Sequence, residues 1–354
     1  MKIGLLPLIC CVALCCHAAA TPANAVLVLE KEQNTLVIVD PASLTIVARI
    51  PAGENPHEVA VSDDGKTAYI SNYSGHTISR VDLVAQKALP PIDLGAMTQP
   101  HGADFVGGKL YFTAEGAKVV GRYDPATDKI DWILGTGQDR THMVIATKDL
   151  TTVLTSNVAS ATISIIQKVA AGRGAGGPPP GRGPGGPGGR GPGGPGSPPP
   201  GGIPPPDWQI TNIPVGQGSE GFDLTPDGKE LWVANAQDQT ISIIDIAAGK
   251  VLQTLPSTGD ANRLKITLDG KYALASDQTG GGVLVIDVAT RKPYKTIKIA
   301  TSTEGLLMAP DGRHAYTTLN EKDSVAVIDL KTFTVTGEVK TGRGPDGLAW
   351  ASRK

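Results

Sequence analysis

Apolar and polar residues alternate one for one in short runs along most of this chain, as in "HEVAVS" at 57–62 and "TISIID" at 240–245. A period of two places successive side chains on opposite faces, which is the pattern of a β-strand. The runs are rich in Val, Ile and Thr and are separated by D-G, P-D-G or G-G turns, as hairpin strands require. No run carries a helical stripe of useful length. One kind of strand ending recurs, at Asp40, Asp82, Asp124, Gln167, Asp245, Asp287 and Asp329. The intervals are 42, 42, 43, 78, 42 and 42, and the 78 is one period carrying a 36-residue insertion. A strand-only repeat near 42 residues predicts four-stranded propeller blades. Seven copies predict a closed, all-β, seven-bladed β-propeller.

The phase of the repeat predicts how the ring closes. With strands named A to D from the axis outward, the first runs, "VLVLEK", "TLVIVD" and "LTIVARI", read as B, C and D. The last, "DGLAWAS" at 346–352, reads as a lone A. The C-terminal strand A is therefore expected to complete the N-terminal blade and to cover an otherwise open sheet edge.

"NPHEVAVSDDGKTAYISN" at 55–72 and "GFDLTPDGKELWVAN" at 221–235, followed by "TISIIDIAAGKVLQTL", closely resemble the YVTN-repeat seven-bladed propellers. The resemblance covers essentially the whole chain after residue 25 except one insertion, and extends to cytochrome d1-like and lactonase-like propellers. It implies the fold. It leaves function wide, because such propellers include binding proteins, surface proteins, lactonases, lyases and redox enzymes.

Composition adds three points. The 354 residues carry a net charge of −2 with both signs mixed, so no basic footprint of a nucleic-acid binder is present and no nucleic-acid partner is expected. Lys2, the apolar run "IGLLPLICCVALCC" and small-residue sites at Ala18–Ala20 and Ala23–Ala25 form the pattern of an export signal over residues 1–25, with cleavage after Ala20 or Ala25. A periplasmic or secreted location follows, with residues 26–354 as the propeller. Cys10, Cys11, Cys15 and Cys16 all lie inside the signal, so a cleaved chain has no thiol and no disulfide. "CCH" at 15–17 lacks haem-attachment spacing, "VALC" is a poor lipobox, and the apolar run is too short to span a bilayer. No transmembrane segment is expected in the mature chain.

The insertion at 172–206 is almost wholly Gly and Pro with three arginines. Such composition cannot bury a core, so disorder with polyproline-II character is expected. It follows strand C and precedes strand D, which makes it a C–D loop, read either as a solvated tether or as a docking arm for an acidic or surface partner. Its G-x-G-x-x-G matches lack a framing strand and helix and carry no dinucleotide signal.

Candidate chemistry gathers where strand A begins. The seven starts read N-P-H-E, Q-P-H-G, R-T-H-M, G-S-E-G, A-N-R-L, S-T-E-G and G-P-D-G. Their third positions are His57, His101, His142, Glu220, Arg263, Glu304 and Asp346. Strand A is innermost and follows the D–A loop, so these side chains are expected at one mouth of the central channel, opposite the Gly/Pro loop. Three histidines with an open position suit a divalent transition metal, which makes His57, His101 and His142 the candidate metal ligands. Glu220, Arg263, Glu304 and Asp346 are the candidate ligand-binding set, with Arg263 as an anion clamp. A hydrated structural ring is the plain alternative. Asn72, Asn157, Asn235 and Asp277 end strand B and are expected to bond the B–C turn. No nucleophile elbow, Walker loop, H-E-x-x-H motif or EF-hand loop occurs. The reading is an exported binding or scaffold propeller with a mouth site for a metal or small polar ligand, or with a protein partner. The alternative is an enzyme of lactonase or lyase type at the same mouth.

Overall fold

Strands B and C of the first repeat, "VLVLE" and "TLVIVD", are apolar at nearly every position, and strand B is buried along almost its whole length in every blade. Both faces of such strands must be buried. The structure, a computed structural model, describes residues 19–169, 207–279, 281–299 and 302–353 and supplies a neighbour for each face. Seven four-stranded antiparallel sheets form, each ordered from strand A to strand D. Val26 and Val28 of blade 1 pack with Tyr316, Val325 and Val327 of blade 7. Leu27 and Leu29, pointing the other way, pack with Val59, Ile70 and Val81 of blade 2. Seven apolar clusters arise in this way, one between each pair of adjacent blades. The two-residue period of the sequence therefore sorts side chains between two blade interfaces, and only the outer strand D is wet. In "KALPPID" the single buried residue is Ile92. Lysines and prolines on such an edge discourage further pairing.

Blade 1 takes its strand A from the C-terminus. Pro345–Ser352 lies beside Asn24–Glu30, pairing Asn24 with Ser352, Val26 with Trp350 and Val28 with Leu348. The remaining blades follow in chain order, with inner strands at Pro56–Val61, Pro100–Val106, Thr141–Ala146, Ser219–Leu224, Ala261–Ile266 and Leu306–Met308. In blade 4, Lys168 of strand C pairs directly with Trp208 of strand D. The Gly/Pro segment thus joins two paired ends at a C–D connection, while residues 172–206 themselves lie outside the described residues. Most of the segment expected to be an export signal, residues 1–18, lies outside them as well. No helix among the described residues is long and apolar enough to cross a membrane.

Candidate binding site at the channel mouth

Strand A opens with a bulge. In blade 2, Pro56 pairs with Asn72 and Val59 with Ile70, which leaves His57 and Glu58 opposite Ser71 alone. The same slip recurs in blades 1, 3, 4, 5 and 6. An extra residue of this kind re-aims side chains out of the ladder, and here it turns them toward the channel. In four blades strand B then ties the start of strand A to the next blade. The hydroxyls of Ser71, Thr113, Ser156 and Ser276 donate to the carbonyls of His101, His142, Glu220 and Glu304. The bulge's second residue is glycine in blades 1, 3 and 5, and Gly305 stands at the same phase in blade 7, because a Cβ on Gly102, Gly221, Gly305 or Gly347 would meet the next blade's backbone at 2.4, 2.7, 2.1 or 2.2 Å.

All seven residues expected at the mouth line one chamber of about 170 Å³. One is misplaced by the sequence alignment. Ala261 pairs with Asp277 as Pro56 pairs with Asn72, and Leu264 pairs with Ala275 as Val59 pairs with Ile70. The ring residue of blade 6 is therefore Asn262, and Arg263 stands one position deeper, level with Glu58. From there Arg263 Nη2 reaches Glu58 Oε1 at 2.6 Å. The pair links blade 6 to blade 2 and so crosses the channel. Arg263 also borders a second chamber of about 130 Å³, lined among others by Asp104, Met143 and Lys265.

The strand B ends are structural. Asn72 donates to Thr77 and Ser79 and accepts from the Gly53 amide. Asn157 and Asn235 make the equivalent bonds to Thr162 and Ser164 and to Thr240 and Ser242. The residue after them belongs to the site. Lys31, Tyr73, Glu115 and Gln278 each follow strand B. Lys31, Tyr73 and Gln278 line the chamber directly, while Glu115 stands behind His142. Residue-by-residue inspection of strand A starts missed this outer ring, although its members recur at the blade period. Arg140, in a D–A loop, also lines the chamber.

The histidines differ in charge. His142 is buried with Nδ1 at 2.5 Å from Glu115 Oε1 and Nε2 at 2.6 Å from Glu220 Oε2. Burial lowers its pKa, but the Glu220 charge and the hydrogen bonds it donates to both carboxylates outweigh burial and leave it raised. Burial alone would raise the Glu220 pKa, yet His142, Arg263 and Arg140 hold it down to about 2. His101 is 2% exposed and its Nδ1 has no protein partner. Burial and the neighbouring charge of His142 push it well below the usual imidazole value. Burial also lowers His57, against the opposing pull of Asp346. The His57 and His101 rings are 5.0 Å apart, and those of His101 and His142 are 3.6 Å apart. On the far side of the mouth, Lys31 Nζ lies 3.1 Å from Asp346 and 3.3 Å from Glu304. Tyr73 donates to Glu115 at 2.8 Å, and burial plus that bond push its pKa up to about 12. The mouth therefore holds two imidazoles biased toward the neutral form, one biased toward the protonated form and interlocked ion pairs in one small chamber.

Fold and site define a β-propeller with a polar channel mouth. The chain is a seven-bladed β-propeller. A model of the YNCE-like β-propellers matches residues 1–89. A protein of unknown function from Desulfotomaculum acetoxidans shares the fold with a TM-score of 0.72 at 11% identity, over 94% of this chain and 100% of its own. Dihydro-heme d1 dehydrogenase NirN, in complex with DHE, gives 0.63 at 15% identity over 92% of this chain and 65% of its own. A protein from Bacteroides uniformis, provisionally described as a 6-phosphogluconolactonase, gives 0.69 at 12% over 92% and 99%. No curated protein matches the chain. At these identities the likeness is one of fold.

Proposed function

We propose that this is an exported binding propeller whose channel-mouth chamber takes a metal ion or a small polar ligand. One observation carries the reading: polar side chains from all seven blades converge on a single chamber. Its size narrows the ligand. At about 170 Å³ it is smaller than the roughly 300–1,000 Å³ pockets that enclose drug-sized molecules. Ions and ligands of a few heavy atoms fit it better than a phosphorylated sugar lactone. The test is a thermal-shift screen of the full chain against metal salts and small carboxylates, amines and phosphates, followed by calorimetry. Absence of any stabilising compound would count against the reading.

A lactonase- or lyase-type activity is the second reading. It draws support from His142 held between Glu115 and Glu220, a group placed to give and take a proton, and from the fold neighbours that are described as enzymes. A panel of lactones and uronides, assayed for turnover, separates it from simple binding. Export also belongs to this proposal. Asn24 and Ala25 are paired in strand B, and Thr21 is buried, so cleavage after Ala20 preserves contacts that cleavage after Ala25 removes. N-terminal sequencing of periplasmic material reads the site directly.

A further inference from the structure

We propose that the chamber holds a divalent transition-metal ion on His101, Glu115 and His142. The inference rests on the binding reading above and names its ligand. One donor atom from each of the three residues lies within 4.8 Å of the other two. All three come from the mouth ends of blades 3 and 4. His101 and His142 open strand A, and Glu115 directly follows strand B. Imidazole nitrogen and carboxylate oxygen bind such ions at about 2.0–2.2 Å, so the donors need to close by only about an ångström.

His101 supplies a second, independent observation. Its ring is 2% exposed and lines the chamber, and its Nδ1 meets no protein partner. A buried imidazole nitrogen without a partner is costly, and a metal bond or an enclosed water would satisfy that ring. The surroundings also resemble a prepared outer shell. Glu115 Oε2 accepts from Tyr73 and lies 3.3 Å from Arg140 Nε, while Glu220 sits beside His142 Nε2. Partners of this kind orient metal ligands. The carboxylates about the mouth, Glu58, Glu115, Glu220, Glu304 and Asp346, outnumber its side-chain cations Lys31, Arg140 and Arg263 even with a protonated His142 counted among them, which suits added positive charge. His142 ligates through a ring lone pair, so binding releases the proton it holds between the two carboxylates. Two nitrogens and one carboxylate with an open side match zinc, iron(II) or a similar ion. His57 bonds Asn55 O through Nδ1 at 3.2 Å and stands outside the donor set.

The experiment uses full-length protein purified without a histidine tag, stripped with chelator and titrated with zinc and then cobalt(II). The expected result is one ion per chain by elemental analysis, with a cobalt absorption spectrum of low coordination number. His101→Ala and the nearly isosteric Glu115→Gln should each weaken binding by about 10- to 100-fold, on the scale of changes around metal ligands. Circular dichroism and melting curves establish that both variants are folded. His314→Ala, in an exposed His–Asp pair remote from the mouth, should leave affinity unchanged. Loss of binding in His57→Ala with retention in Glu115→Gln would overturn the assignment, as would a site abolished by His314→Ala. No stoichiometric metal, alongside a small molecule that still stabilises the chain, would sink the metal inference and leave the binding reading intact. Failure of both sinks both.

Discussion

Arg263 and Asp104 show what one residue does when the channel closes around it. The Arg263–Glu58 pair spans the channel, with side chains only 9% and 12% exposed. Removing one partner leaves the other charge largely buried beside a polar chamber. Glu58→Ala or Arg263→Ala should each cost about 1–3 kcal/mol in urea unfolding, below the range for a fully dry pair. The double variant should recover part of that loss, and a cycle with no coupling would mean that chamber water already screens the pair. Asp104 faces the deeper chamber, and burial pushes its pKa up from 3.8 to about 6, against the pull of Lys265 and its bond from the Ala146 amide. The folded state therefore keeps this proton to higher pH than the unfolded chain. The resulting penalty is absent below about pH 4, grows until about pH 6 and stays constant above. Asp104→Asn should stabilise the protein by about 1–2 kcal/mol at pH 7, local relaxation trimming the full two-unit effect, and by nothing at pH 3.5. An equal gain at both pH values would contradict this account.

At the scale of elements, the bulge at the start of strand A does two jobs. It points the ring residue into the channel and brings the next residue against the neighbouring blade. Gly305, at the same phase in blade 7, shows the close approach most plainly, since its Cβ would lie 2.1 Å from the Asp346 carbonyl oxygen. Gly305→Ala should cost about 1–3 kcal/mol through overpacking. Gly75→Ala, where the nearest atom is 3.8 Å away, should stay within about 0.5 kcal/mol of the parent. Melting curves of the two variants decide the point, and equal stability would mean that the blades can separate without cost.

At the scale of the whole molecule, the ring is held shut by one strand. Deleting residues 345–354 removes the inner strand of blade 1 and uncovers Val26, Leu27 and Val28, each at most 1% exposed. The shortened chain should melt far below the parent or lose its cooperative transition, and an unchanged melting temperature would refute the closure. The Gly/Pro insertion is the opposite case. Its paired ends at Lys168 and Trp208 need only a short turn, and each doubling of a flexible loop costs only about 0.6 kcal/mol. Replacing 172–206 by a Gly/Ser turn should therefore leave the melting temperature within a few degrees. A large drop would show that the segment packs on the blades.

The amino-acid sequence alone determined the blade, the count of seven and the closing strand, because each is written locally in a period-two pattern repeated every 42 residues. It also placed His57, His101, His142, Glu220, Glu304 and Asp346, since a polar residue at one phase of an apolar repeat stands out. In blade 6 the period itself was the better guide. A step of 42 from Glu220 lands on Asn262, then on Glu304 and Asp346, whereas the charge of Arg263 drew the alignment one residue too far. Lys31, Tyr73 and Glu115 share the same step, but their residue types have nothing in common and no motif joins them. Only the tertiary structure decided which of these groups meet. Glu58 and Arg263 are 205 residues apart along the chain, and Glu115 reaches His142 from another blade. Ring closure converts a repeat that is local in sequence into contacts across a channel, and those contacts set which histidine is charged and which is left without a partner.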